Sequence, residues 1–98
     1  MNRIIVFHEA AEAEMNEATD YYDLEVKGLG KAFLDDIEKA LLLIETYPEA
    51  SPAIQQRVRT KRLSKFPFSL FYSLYPDEIR ILAVAHQKRR PFYWSRRR

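Results

Sequence analysis

Two apolar segments joined by a turn constrain the fold of this 98-residue chain more than any other feature. Residues 66–75 are rich in aromatic and aliphatic side chains, and residues 78–85, EIRILAVA, are apolar at nearly every position. Pro76 and Asp77 between them are typical of a reverse turn. The second segment has the composition of a central strand that is covered on both faces. The sequence therefore predicts a hairpin at the centre of a sheet, followed by a basic and aromatic segment, HQKRRPFYW.

Two amphipathic helices are predicted before this hairpin. The first follows a short strand, Ile4–Phe7, and covers residues 9–26, while the second covers residues 29–47 and ends before a proline. Gly28 between them indicates a tight connection. The second helix has apolar residues at three- and four-residue steps, and its charged residues fall mostly off that stripe: Leu29, Phe33, Ile37, Leu41 and Ile44 against Asp35, Asp36, Glu38 and Lys39. Both helices need an apolar surface to cover.

The remaining elements complete an α+β domain. Residues 49–56 are predicted to form a loop, and the strand after it has basic residues on one face: Arg57, Arg59 and Lys61. The order is βααβββ over a single domain, residues 1–98. It predicts a two-helix hairpin packed on one face of a small, mostly antiparallel four-stranded sheet. Residues 91–98 are expected either to form a loose C-terminal tail or to be pinned to the sheet by Tyr93 and Trp94.

The composition favours a cytoplasmic protein. The chain has no cysteine, which excludes a disulfide framework and a cysteine zinc site. We find no signal segment and no apolar run of the ~20 residues that a membrane span needs, so no membrane partner is expected. Residues 8–12, HEAAE, have Glu12 where a zinc-binding HExxH motif has its second histidine, so no metal site is predicted.

The charges divide sharply between the two halves of the chain. Residues 1–50 hold 4 Lys/Arg and 12 Asp/Glu, a net charge of −8, whereas residues 51–98 hold 12 Lys/Arg and 2 Asp/Glu, a net charge of +10. The basic half is suited to meet nucleic acid or an acidic protein. The alternative is that an acidic helical layer simply offsets a basic sheet.

Three segments resemble the RelE/ParE superfamily of toxins from type II toxin–antitoxin systems: GLGKAFLDDIEKALLLI, RTKRLSKFPFSLFYSL and DEIRILAVAHQKRRPFYW. The resemblance implies a toxin that arrests growth and is neutralised by a cognate antitoxin. We expect the antitoxin to present an apolar helix to the exposed sheet or to the helical hairpin. Operator DNA is expected to be contacted only through the antitoxin.

The resemblance implies two activities on this scaffold. RelE-like members cut mRNA on the ribosome, and ParE-like members poison DNA gyrase without nuclease activity. The crowding of basic and aromatic residues into the second half favours ribosome-dependent mRNA cleavage as the main prediction, with gyrase poisoning as the alternative. A third hypothesis is a non-toxic binding module, an inactive relative that binds DNA or antitoxin. If the chain is an enzyme, we expect a metal-independent endoribonuclease that needs no cofactor.

The residues predicted for such an enzyme follow from the resemblance. Cleavage needs a group that moves protons and cations that hold the phosphate, and the predicted catalytic set is Lys61, His86, Arg89 and Tyr93. The predicted RNA- and phosphate-binding set is Arg59, Arg62, Lys65, Arg90 and Trp94. Plainer roles remain open: His86 hydrogen-bonded to a loop, Tyr93 and Trp94 as core aromatics, and residues 96–98 as a solvated tail. The nuclease prediction requires Lys61, His86, Arg89 and Tyr93 to converge on one face.

Overall fold

The computed structural model describes residues 3–55 and 57–97. Its elements are β1 (Ile4–Phe7), α1 (Glu9–Glu25), α2 (Leu29–Thr46), β2 (Ala53–Gln55), β3 (Val58–Arg62), β4 (Phe68–Leu74) and β5 (Glu78–His86). The predicted order is confirmed with one correction, because the sheet has five strands and not four. The added strand, β2, lies inside the predicted loop 49–56. It is only three exposed residues long, so it carries no periodic signal of its own.

The sheet has the strand order β1-β5-β4-β3-β2. β1 runs parallel to β5, and every other neighbouring pair is antiparallel. A bulge interrupts the central β4–β5 pair, because Phe71 lies opposite Ala83 while Tyr72 lies opposite Ile81. Leu82 is thus the extra residue of β5. As a result Leu82 and Ala83 both pack in the same cluster, while Ile81 and Val84 belong to the core under the helices.

The two helices cover one face of the sheet and enclose the main core. α2 contributes Phe33, Ile37 and Ile44, which meet Leu70 and Tyr72 of β4. All five side chains are 2% exposed or less. The predicted apolar stripe of α2 is therefore the face that is buried. Within the described ranges, neither helix has both the length and the apolar character that crossing a membrane requires.

One charged residue of α2, Asp36, is also buried, with 3% of its surface exposed. Its carboxylate accepts hydrogen bonds from the backbone N–H groups of Ser64, Lys65 and Phe66, at 3.3, 2.8 and 3.1 Å, and from the Ser64 hydroxyl at 2.8 Å. Burial raises the pKa of Asp36, but these hydrogen bonds outweigh burial and lower it overall. Asp36 thus fixes the connection between β3 and β4.

The helices approach each other closely at Gly30. A Cβ there would lie 2.7 Å from the carbonyl oxygen of Thr19 and 2.9 Å from Oδ1 of Asp23. The Asp23 carboxylate accepts a hydrogen bond from the Gly30 N–H at 2.9 Å, which caps a free donor in the first turn of α2. Gly28 has a φ of 88°, a left-handed conformation that glycine adopts without strain.

The second face of the sheet, which the helices leave uncovered, is called the open face here. Part of it is covered by the C-terminal segment, residues 91–97, which forms successive turns. Trp94 is 2% exposed and packs with Val58, Leu82 and Ala83. Its ring stacks on Phe71 with a centroid distance of 4.9 Å and an interplanar angle of 29°. Trp94 therefore holds this segment against the sheet, and Arg98 lies outside the described residues.

Candidate functional site

A cleft of about 480 Å³ lies on the open face, and we call it the open-face cleft. Arg62, Ser69 and Ala85, neighbours across β3, β4 and β5, form one row along its floor. Ile54 of β2 borders it on one side, and residues 86–94 border it on the other. The cleft thus lies where the basic and aromatic segment leaves the sheet.

The charged side chains that line the open-face cleft are basic. Arg62, Arg89 and Arg90 belong to its lining, and the described residues that line it include no Asp or Glu. Arg62 and Arg90 are exposed, and within the described residues neither takes part in an ion pair. The cleft is therefore suited to an anionic ligand.

A second cluster closes the edge of β5 next to the cleft. β1 ends at Phe7, so β5 has no strand neighbour on that side beyond Ile81. Glu14 of α1 accepts a hydrogen bond from the Val84 N–H at 3.0 Å, and Arg97 donates to the Leu82 carbonyl at 3.0 Å. These two side chains therefore form hydrogen bonds with backbone groups of β5 that lie beyond the end of β1 and have no strand partner on that side.

Glu14 also joins the C-terminal segment to α1. Its carboxylate accepts both Arg97 Nη1 and Nη2, at 2.9 and 3.0 Å, and the Tyr93 hydroxyl at 2.8 Å. The Arg89 guanidinium stacks on the Tyr93 ring 3.8 Å from its centroid, with Nη1 3.8 Å from the same carboxylate. We call Glu14, Tyr93 and Arg97 the edge cluster.

Burial and the edge cluster both stabilise the protonated form of the Tyr93 hydroxyl. Burial raises the pKa of its hydroxyl, and the hydrogen bond to Glu14 and the negative charge of Glu14 raise it further. Arg89 and Arg97 act in the opposite direction but do not cancel this effect. The hydrogen bond to Glu14 likewise raises the pKa of Arg97. Tyr93 is therefore a fixed hydrogen-bond donor at neutral pH.

The predicted catalytic residues divide between two places. Arg89 and Tyr93 are in contact, and His86 lies near them with its ring edge-on to Phe68 at 5.1 Å. The Nδ1 atom of His86 accepts the Lys88 N–H at 3.1 Å, which is the plainer role considered for it. Lys61 instead lines a small recess beside the end of α2 with Leu43, Tyr47 and Tyr72. The structure brings Arg89 and Tyr93 together and leaves Lys61 apart from them.

The predicted binding residues are equally dispersed. Arg62 and Arg90 line the open-face cleft, and Lys65 is exposed on the β3–β4 connection. Arg59 donates to the carbonyl oxygens of Ser51 and of Glu49, the latter at 3.3 Å, and so braces the loop before β2. Trp94 is buried and leaves no ring face for stacking on a base.

Two residues of this region were missed by the sequence analysis. Glu14 entered the sequence analysis only through the net charge of residues 1–50, although it lies three residues after Ala11 and four before Ala18, both buried. That helical spacing placed it on the packed face. Phe92, which lines the cleft and is 48% exposed, carried no such signal. Among the described residues no group of three His, Asp or Glu side chains is placed to hold a metal ion.

Comparison with known proteins agrees with this architecture. The model of the family described as ParE toxin of type II toxin–antitoxin system, parDE, matches residues 5–91. A solved structure from a chromosomal ParDE toxin–antitoxin system of P. aeruginosa is similar, with a TM-score of 0.73 and 24% sequence identity. The alignment covers 86% of this chain and 95% of that chain, and it shows a shared fold. No curated protein sequence matches. Since the family model spans most of the chain, this protein belongs to the ParE toxin family of type II toxin–antitoxin systems, which implies an antitoxin partner.

Proposed function

We propose that this toxin arrests growth by binding DNA gyrase and poisoning it, without chemistry of its own. The proposal is supported by membership of the ParE family, because the resemblance to ParE-like toxins implies a gyrase poison that lacks nuclease activity. The observation that carries it is the separation of Lys61, beside α2, from Arg89 and Tyr93, beside the edge cluster.

The chemistry of RNA cleavage argues in the same direction. A metal-free reaction needs a base, an acid and a phosphate-binding cation at one phosphate. Tyr93 is a poor choice for moving a proton, because its hydroxyl is bonded to Glu14 and its pKa is raised. Lys61 and Arg59 belong to a strand face that turns toward α2 and the loop before β2, away from the open-face cleft.

Cleavage of mRNA is the second candidate function. One observation favours it: Arg62, His86, Arg89 and Arg90 line a single cleft that contains no acidic residue among its described walls. Such a surface would attract a phosphate backbone. It lacks an evident proton-transfer pair, which is why we rank it second.

The test compares the two targets directly. Purified toxin is added to purified gyrase and relaxed plasmid, and supercoiling and protein-linked DNA breaks are measured. In parallel, new mRNA 5′ ends are mapped after brief induction in growing bacteria. We expect lost supercoiling, trapped breaks and no codon-phased ends, and co-expressed antitoxin should restore growth. Lys61→Ala is the discriminating variant, since a gyrase poison keeps its toxicity and the predicted nuclease loses it. Normal supercoiling together with codon-phased cuts would overturn the proposal.

A further inference from the structure

We propose that the open-face cleft binds an extended acidic peptide segment that carries an aromatic or aliphatic side chain, presented by the protein that the toxin inhibits. This inference rests on the proposed function and names the surface that performs it. The occupant is argued from the charge of the cleft, the apolar surface at its floor, its size and the free strand edge beside it.

Charge selects an acidic partner. Arg62 and Arg90 are exposed and without an ion pair in the described chain, and the nearest carboxylate oxygen to Arg89 is 3.8 Å away. By contrast, Arg80 and Arg97 are held by carboxylates at 2.7 and 2.9 Å. Two arginines of the cleft are thus without a carboxylate partner within the described chain, and an arginine can form bidentate bonds with a carboxylate.

The floor of the cleft adds an apolar requirement. Phe92 is 48% exposed with its ring edge-on to Trp94, at a centroid distance of 5.8 Å. Its φ of 61° is left-handed, a conformation that a bulky residue adopts rarely. Phe71 and Ala85 extend this surface. A purely polyanionic ligand would leave this apolar surface exposed to water, whereas a segment with one apolar side chain among its acidic residues would cover the surface.

Size and the adjacent strand favour an extended segment. One turn of a helix with its side chains is ~10–12 Å across and 5.4 Å long, so it would by itself fill a cleft of about 480 Å³. The cleft therefore has room for a few side chains and not for a whole turn of a helix. β2, whose Ile54 lines the cleft, is exposed throughout and is the last strand of the sheet. Its outer edge offers backbone groups to an extended chain.

Single-stranded nucleic acid suits the same surface less well. Strand binding relies on several aromatic rings on which successive bases stack. Here the Trp94 ring is buried, and the Tyr93 ring is covered by the Arg89 guanidinium at 3.8 Å. Only Phe92 remains as an exposed stacking surface among these three rings.

The experiment reverses the charge of single arginines in the cleft and uses a charge reversal outside the cleft as the control. Arg62→Glu and Arg90→Glu are compared with Arg96→Glu, an exposed residue of the C-terminal segment that does not line the cleft. Binding to purified gyrase is measured by surface plasmon resonance, and thermal unfolding establishes that each variant is folded. We expect each cleft variant to weaken binding by about tenfold or more, and Arg96→Glu by less than about threefold.

A peptide probe tests the chemistry of the occupant independently of gyrase. Fluorescein-labelled octapeptides, one of alternating Glu and Asp with a central Phe and one with Lys in place of the acids, are compared with an RNA octamer of equal label. We expect the acidic peptide to bind best and to lose binding in Arg62→Glu.

The outcomes separate this inference from the proposed function. If the wild-type toxin neither binds nor inhibits gyrase, the proposed function fails. If all three variants inhibit gyrase equally, the function stands and the cleft proposal is overturned. Preference for the RNA octamer also overturns it. The cleft proposal is also overturned if Arg62→Glu and Arg90→Glu still inhibit gyrase but are no longer neutralised by the antitoxin. The cleft would then be the binding site of the antitoxin.

Discussion

Replacement of Glu14 by glutamine tests whether the edge cluster holds the C-terminal segment in place. The Glu14 carboxylate is 13% exposed and accepts four hydrogen bonds, from the Val84 N–H, the Tyr93 hydroxyl and both terminal nitrogens of Arg97. Glutamine keeps one acceptor oxygen and turns an NH₂ group toward these donors. At least two of the four bonds are lost, and Arg97 loses its counter-charge.

The magnitude follows from these losses. A hydrogen bond to a charged group contributes about 1.5–3 kcal/mol, and removing one partner of a buried ion pair costs about 3–5 kcal/mol. Because Arg97 is still 19% exposed, we take the lower end and expect the free energy of unfolding to fall by about 3 kcal/mol. For a domain of this size that corresponds to a fall in Tm of roughly 15 °C.

Urea unfolding followed by tryptophan fluorescence measures this effect, because Trp94 is the only tryptophan and lies in the segment held by the cluster. Its emission should shift to the red in Glu14→Gln before global unfolding. Glu17→Gln is the matched control, one turn along the same helix and exposed, with an expected change below about 0.5 kcal/mol. Tyr93→Phe and Glu14→Gln should be non-additive. The double variant should lose less free energy of unfolding than the sum of the two single losses. A Glu14→Gln protein as stable as Glu17→Gln would refute the reasoning.

Three further predictions concern stability, each measured by urea unfolding. Asp36→Asn should cost about 2–4 kcal/mol at pH 7 while Asp35→Asn, its exposed neighbour, should cost under about 0.5. The pKa of Asp36 is lowered on folding. Its contribution to the free energy of unfolding is therefore present above the unfolded pKa of about 3.9 and is lost as the pH falls through the folded pKa. If wild type and Asp36→Asn lost equal free energy of unfolding between pH 6 and 2, this prediction would be contradicted. Gly30→Ala should lower the free energy of unfolding by about 2–3 kcal/mol, because the new Cβ meets a backbone carbonyl of α1. Gly28→Ala should lower it by about 1 kcal/mol, because of its left-handed φ alone. A larger loss for Gly28→Ala than for Gly30→Ala would contradict the close helix contact. Trp94→Ala should cost about 3–5 kcal/mol, and a loss under about 1 would mean that the segment is loosely held.

The sequence predicted those parts of the fold that depend on local periodicity. The apolar stripe of α2 and the β4–β5 hairpin are strong patterns, and the structure confirms both. β2 was missed because its three residues, Ala53–Gln55, are too few to show a periodic pattern and form a strand only by pairing with β3. Asp36 was missed because its partners, residues 64–66, are brought to it by tertiary packing.

The candidate site was predictable in part for the same reason. Arg89 and Tyr93 are four residues apart, and a local turn brings them together. Alternation along β3 separates Arg59 and Lys61 from Arg62, but alternation does not say which face the helices cover. Arg59 and Lys61 turn toward the loop and α2, while Arg62 reaches the open-face cleft. Which basic residues share a site is thus decided by the packing of the helices.

The parallel pairing of β1 with β5 sets the order in which the chain can fold. Ile4 lies opposite Glu78 and Phe7 lies opposite Ile81, so the first strand has no partner until the last strand exists. Such non-local pairing closes a long loop and is slow compared with the formation of the helical hairpin. During synthesis the acidic helices, which include Glu14, leave the ribosome long before β5 and before Tyr93 and Arg97 of the edge cluster. The toxin therefore acquires its complete sheet and its open-face cleft only after β5 and the segment that follows it have been synthesised.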